Sequence, residues 1–240
     1  MKDFEKFINN RKVVLRYTKC LDDYNLDSVD AYETYYVTPT FDELLFGRPM
    51  LYKRDDHLIY RSLYSLTRFT VKFNFEFIDL IFNKSSCIWT VSNPKSFNYV
   101  NQLWDLRYDI ARMDLDQLYH NCISDVKTQL RDFKKLGYNH LVAGEVIRQL
   151  DLLRRFAVNE FTEYDQAIKY IDGEEMQNVI NDILNENIDE HQFHNICKDI
   201  LKDLAQEYSF LYKGHSKDKT LYKKVQKILF NLIKSESIMC

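Results

Sequence analysis

VSNPKSFNYVNQLWDL (91–106) carries the last proline of the chain, Pro94, and opens a stretch that runs to Cys240 without another. Proline fixes φ and lacks the N–H that an interior helical turn donates, so a proline-free run permits long uninterrupted helices. The other prolines, Pro39 and Pro49, lie upstream. This asymmetry divides the chain near residue 95 into a mixed front, 1–94, and an all-helical rear, 95–240. The expected fold class is α+β.

Behind Pro94, apolar residues recur at helical spacing in 97–110, 114–135, 139–161, 174–185, 190–212 and 219–234. Asp172-Gly173 marks a turn and LYKGHSKDK (211–219) a loop. In front of it, residues 2–10 read as a short helix. VVLRY (13–17), YYVT (35–38) and HLIY (57–60) read as strands, being rich in β-branched and aromatic residues. FDELLFG (41–47) reads as a helix stopped by Gly47. Helical periodicity runs from Arg61 to Phe73 and continues over 76–82, while CIWTV (87–91) is too short to assign by period.

Composition bounds the chemistry. The 240 residues are 45% hydrophobic, enough for a sizeable core, and the net charge of −3 argues against a nucleic-acid partner. No run approaches the roughly 20 apolar residues that span a bilayer. The opening MKDFEKFINN lacks an apolar signal core, so the expected location is cytoplasmic. Five widely spaced cysteines (Cys20, Cys87, Cys122, Cys197, Cys240) do not form a disulfide framework. The five glycines are scattered, which excludes a P-loop or a dinucleotide fingerprint, because phosphate cradles need clustered glycines.

Several groupings carry a chemical and a plainer reading. His191, His194 and Cys197 recur every third residue on a helix and could ligate zinc, but a structural site needs a fourth ligand, so a helix face is the better account. Asp22, Asp23, Asp27, Asp30 and Glu33 could hold a divalent cation, yet no EF-hand glycine stands among them, and a solvated acidic turn is favoured. Lys213, Lys217, Lys219, Lys223, Lys224, Lys227 and Lys234 alternate with apolar residues. They suit a terminal helix packed on the core better than a membrane or RNA contact. His120 and Cys122 are two apart on a helix and do not face each other. Phe73, Phe75, Phe77 and Phe82 read as core rather than as a base-stacking platform.

The order of these segments resembles a minimal nucleotidyltransferase of the DNA-polymerase-β superfamily, the group that includes bacterial and phage predicted nucleotidyltransferases. VTPTFDELLFG (37–47) is similar to the strand end and helix that follow the family's catalytic strand. IYRSLYSLTRFTVKFNFEFIDLIF (59–82) is similar to its next helix, with the ending carried by Lys72, Asn74, Phe75, Asp79, Leu80 and Phe82. GYNHLVAGEVIRQLDLLRRF (137–156) is similar to a later helix that bears an arginine, here Arg148, with Glu145 in its histidine place.

The resemblance implies a small mixed sheet with helices and a two-metal site. The family holds a triphosphate on a G-S turn and two divalent metals on a D-x-D pair plus a third carboxylate. Counted back from Pro39, the pair falls on Asp30 and Tyr32, the turn on Thr18 and Lys19, and the third acid on Ser62. Arg148 would join Thr18 and Lys19 in any nucleotide contact. One acid of three survives, and Tyr or Ser does not supply the charge that magnesium needs. The expectation is a catalytically degenerate copy with no cofactor, acting by binding a partner protein, as a phage or mobile-element inhibitor of a host defence factor would. The alternative is an active enzyme using magnesium and a nucleoside triphosphate, with Asp30 and either Asp27 or Glu33 as metal ligands, modifying protein, RNA or a small molecule.

Overall fold

A computed structural model describes residues 11–19, 24–27, 32–48, 50–53, 58–73 and 75–237. The helix expected over 2–10, and Cys20, Asp22, Asp23, Asp30, Pro49, Asn74 and Cys240, lie outside them. In chain order the elements are β1 (Val13–Lys19), β2 (Tyr32–Val37), α1 (Phe41–Phe46), β3 (Leu51–Lys53), β4 (Leu58–Ser62), α2 (Ser65–Lys72), α3 (Phe75–Phe82), β5 (Cys87–Trp89), α4 (Pro94–Asp105), α5 (Arg107–Arg112), α6 (Leu115–Leu136), α7 (His140–Val158), α8 (Tyr164–Ile168), α9 (Glu175–Leu184), α10 (Glu190–Asp203), a π-helical turn (Leu204–Tyr208), α11 (Ser209–Lys213) and α12 (Lys219–Ser237). A mixed sheet with helices, followed by a helical region, makes the chain α+β. Among the described residues no helix is long and apolar enough to cross a membrane.

The chain forms two compact units. The first comprises 1–20, 30–110 and 218–240, the second 21–29 and 111–217. They divide the sequence differently from a cut at 94/95. α12 buries Val225, Ile228, Leu229, Leu232 and Ile233 and packs on α2 and α4 of the first unit. Each such side chain contributes on the order of 1.5–3 kcal/mol when fully buried. Near its end the buried Glu236 accepts hydrogen bonds from the backbone N–H of Ser92 (3.0 Å) and Asn93 (3.3 Å) and from Ser96 Oγ (2.6 Å), which ties the C-terminal helix to the start of α4.

The sheet of the first unit has the order β3-β4-β2-β1-β5. β2 and β4 are parallel and the other neighbouring pairs antiparallel. Alternation along the strands sends Leu15, Tyr17 and Tyr36 to the face covered by α2 and α3. There Tyr36 Oη donates to Glu76 at 3.0 Å, Glu76 pairs with Arg61 at 3.3 Å, and the Arg61 guanidinium lies 5.2 Å over the Phe69 ring. The phenylalanines at 73, 75 and 77 are buried, and Phe82 meets Tyr108 edge-on. The helical periodicity noted from Arg61 begins as strand instead, because Arg61 pairs with Tyr36 on one side and Leu51 on the other.

In the second unit α6 and α7 pack together, and α9 and α10 pack on α7. Tyr119, Phe161 and Tyr212 form an aromatic knot, closed by a hydrogen bond from Tyr212 Oη to the Leu153 carbonyl at 2.6 Å. Segment 24–27 is pinned into this unit at both ends. Asn25 Nδ2 donates to the Tyr170 carbonyl (3.1 Å) and to Asp172 (2.7 Å), and Asp27 N–H donates to Asn181 Oδ1 (2.9 Å). The helix expected over 190–212 is interrupted by the π turn. The short strand 51–53 and helix 164–168 carried no legible period.

Candidate functional site on the solvent-facing side of the sheet

Strand register sets the site. Across the sheet, Tyr52 pairs with Tyr60, Tyr60 with Tyr35, Tyr35 with Arg16 and Arg16 with Ile88. Directly opposed residues share a face, so these five form one row crossing all five strands on the side opposite α2 and α3. Tyr35 and Tyr60 stack, with ring centroids 5.1 Å apart and planes 19° from parallel. The Arg16 guanidinium lies 5.8 Å over the Tyr35 ring. In the next row, Thr18 pairs with Glu33 and Glu33 with Leu58.

Glu33 is the chemically important member. Arg16 donates to one of its carboxylate oxygens and Tyr35 Oη donates to the other at 2.8 Å. The Arg16 hydrogen bond holds the Glu33 carboxyl below its ordinary pKa, against partial burial, and the arginine is correspondingly raised. Burial raises the Tyr35 phenol, with the Glu33 contact adding to it.

At the far end of the face, Val37 pairs with Ser62. Ser62 is fully buried and donates its hydroxyl hydrogen to Glu43 Oε2 at 2.9 Å. Glu43 caps the start of α1 reciprocally with Thr40, accepts from Met50 N–H at 2.9 Å, and pairs with Arg11 at 3.0 Å. Both partners of that ion pair are almost completely buried. Both carboxylate oxygens of Glu43 are thus engaged, and they fasten α1 to β4 and to the entry of β1.

Tyr32 opposes Lys19 in the strand register, and Thr18 opposes Glu33. Positions 32 and 62 fall in rows of opposite parity, since 36 pairs with 61 and 37 with 62. Glu33, not position 32, shares parity with Ser62. Asp30 lies outside the described residues. Asp27 belongs to the helical unit, where Asn185 Nδ2 donates to its Oδ2 at 2.6 Å. Arg148 is also in that unit, buried on α7, donating from Nε and Nη2 to Glu145 at 3.2 Å and lying 4.2 Å over the Tyr24 ring. Of the side chains considered as metal ligands, Glu33 is thus paired with Arg16, and the Ser62 hydroxyl is committed to Glu43.

Cys197 is buried and its thiol is pushed up to about 11 by burial, while His194 faces Glu190 at 3.9 Å and His191 contacts Asn195. Among the described residues no three His, Cys, Asp or Glu side chains group to hold a metal ion. Lys217 pairs with Asp114 at 3.2 Å.

Arg11, Arg16, Glu43, Tyr35 and Tyr60 were not singled out from the sequence. Two signals were available. TFDE (40–43) is a capping-box pattern, and the period of two puts Arg16 and Thr18 on one face of β1. No family model, curated protein or solved structure matches this chain.

Proposed function

We propose that the protein acts by binding rather than by nucleotidyl transfer: a nucleotidyltransferase-like scaffold without the metal chemistry, whose ligand is a partner protein. One observation carries this reading. Glu33, the acid that shares a sheet face with Ser62, is neutralised by Arg16 and hydrogen-bonded by Tyr35, so the positive charge a metal would bring is supplied by the chain itself. A guanidinium bound to one carboxylate cannot clamp attacking and leaving oxygens as a metal pair does. Inhibition of a host factor, as by a phage or mobile-element protein, is the biological form of binding that this reading favours.

Isothermal titration with the four nucleoside triphosphates, with and without magnesium, tests it. The expected result is no magnesium-dependent heat. Magnesium-dependent binding that disappears in Asp30→Ala would overturn the proposal in favour of the active enzyme, with magnesium and a triphosphate as its cofactor and substrate.

A further inference from the structure

α1 is built inside out. Its one deeply buried side chain is the carboxylate of Glu43, while Phe41, Leu45 and Phe46 stand 76%, 62% and 67% exposed. The inversion follows from the capping network: Glu43 must turn inward to meet Thr40, Met50, Ser62 and Arg11, and the residues around the rest of the short helix are left facing outward. Phe46 borders a cleft of about 500 Å³ whose other walls are Tyr64, Val71 and Lys72 of the α2 region and Gln226 and Phe230 of α12. Val71 and Phe230 are themselves 52% and 57% exposed. Solvent-facing apolar side chains from three helices meet at one concavity. Contiguous patches of this kind mark interaction surfaces.

Charge identifies what the cleft takes. Arg68 and Lys72 line it from α2, with Arg68 donating to the Gly47 carbonyl. On α12, Lys223, Lys227 and Lys234 are exposed and stand three or four residues from Gln226 or Phe230, so they flank the same stripe on its solvent side. Arg48 is exposed just beyond α1, and Asp42 is the exposed acid on α1 itself. Exposed apolar side chains around Thr67 and Gln226, with lysine and arginine on two sides, in a chain whose net charge is −3, are a local reversal of the overall sign. Such a groove suits an amphipathic helix read through spaced apolar anchors, with acidic residues along its edges.

We infer that the cleft between α1, α2 and α12 docks an acid-edged amphipathic helix of a partner protein. This rests on the binding reading proposed above. Phe46, Val71 and Phe230 take the partner's apolar stripe. Arg68, Lys72, Lys223 and Lys227 take its carboxylates and set the salt dependence.

The test uses the full chain and fluorescein-labelled helical peptides that share one leucine stripe at i, i+3, i+4 and i+7, flanked by glutamate in one and by lysine in the other. Fluorescence anisotropy is expected to show at least about tenfold tighter binding of the glutamate peptide, equivalent to 1.4 kcal/mol. That preference should fall with added salt and be lost in Phe230→Ser and in the Lys72→Glu/Lys227→Glu pair. Both are surface substitutions, and an unchanged melting temperature confirms that the fold is kept. Equal binding of the two peptides, no binding of either, or binding unaffected by the substitutions overturns the docking assignment. So does capture of the chain by vesicles containing phosphatidylserine or by single-stranded RNA in place of the peptide, and so does self-association that Phe230→Ser abolishes. The broader binding reading has its own test in the triphosphate titration. A failed peptide experiment with silent triphosphates removes only this surface, whereas magnesium-dependent triphosphate binding removes the reading beneath it.

Discussion

Ser62 donates its hydroxyl hydrogen to Glu43 across 2.9 Å, and Glu43 is at the same time the buried partner of Arg11. Ser62 is thereby a structural donor to a carboxylate that comes from a different element. Removing either partner of a buried ion pair leaves an uncompensated charge. Glu43→Ala is expected to lose about 3–5 kcal/mol, whereas Ser62→Ala removes the hydrogen bond to Glu43 and the longer one accepted from Tyr64 N–H at 3.3 Å, and should cost about 1–2 kcal/mol. Chemical denaturation of the two variants checks the order. A Ser62→Ala loss equal to that of Glu43→Ala would contradict the division of roles.

Glu33 makes stability depend on pH in a defined direction. Its folded carboxyl titrates below the ordinary value because Arg16 hydrogen-bonds the charged form. The folded state therefore binds this proton less readily than the unfolded one. The stabilisation is complete above the usual carboxylate range and is lost as pH falls through the folded value. Melting temperatures of wild type and Glu33→Gln should differ at pH 6 and converge under acid. A gap that widens on acidification would refute the assignment.

Arg148 is held by a planar fork, Nε and Nη2 on Glu145, with its face on Tyr24. A lysine ammonium reproduces neither the fork nor the stacking. Arg148→Lys is expected to cost about 2 kcal/mol, the scale of hydrogen bonds to a charged group, and to leave triphosphate titrations unchanged. Loss of nucleotide binding without loss of stability would assign Arg148 to a ligand instead.

Cys87, Cys122 and Cys197 are buried thiols. Burial raises Cys122 strongly and takes Cys197 to about 11. Since the thiolate is the reactive form, alkylation by iodoacetamide at pH 8 should leave all three unmodified in the native protein and label them in urea. Peptide mass spectrometry reads this site by site, and rapid native labelling of Cys197 would show that its surroundings open.

The sequence made some elements plain and hid others for physical reasons. α1 was legible because Gly47 adopts a left-handed φ of 61°, which the FDELLFG pattern anticipates. The long helices α6 and α7 were legible because a 3.6-residue period persists over many turns. β3, with three residues, is too short to show a period, and Arg61 and Ser62 look helical from their downstream neighbours although strand pairing claims them. The candidate site was harder still. That Glu33 meets Arg16 depends on which residue of β1 lies beside which residue of β2, and a one-residue change of register would move Glu33 to the opposite face. Counting from Pro39 yields positions along the chain, but the face is decided between strands. Nor does any local pattern reveal that α1 buries a glutamate, because its partners, Arg11 and Ser62, come from segments 32 and 19 residues away.

The first compact unit is assembled from three stretches of chain, the last of them beginning at Asp218. During synthesis, α12 leaves the ribosome only after the whole of the 111–217 segment has been made. Until then α2 and α4 display the apolar surfaces that Val225, Leu229 and Leu232 later cover. The helical segment is free to close while the sheet-bearing one waits for its final helix. A nascent chain stalled just short of Asp218 would thus expose the faces of α2 and α4 beside an already completed 111–217 segment, reversing the usual order in which the more N-terminal portion folds first.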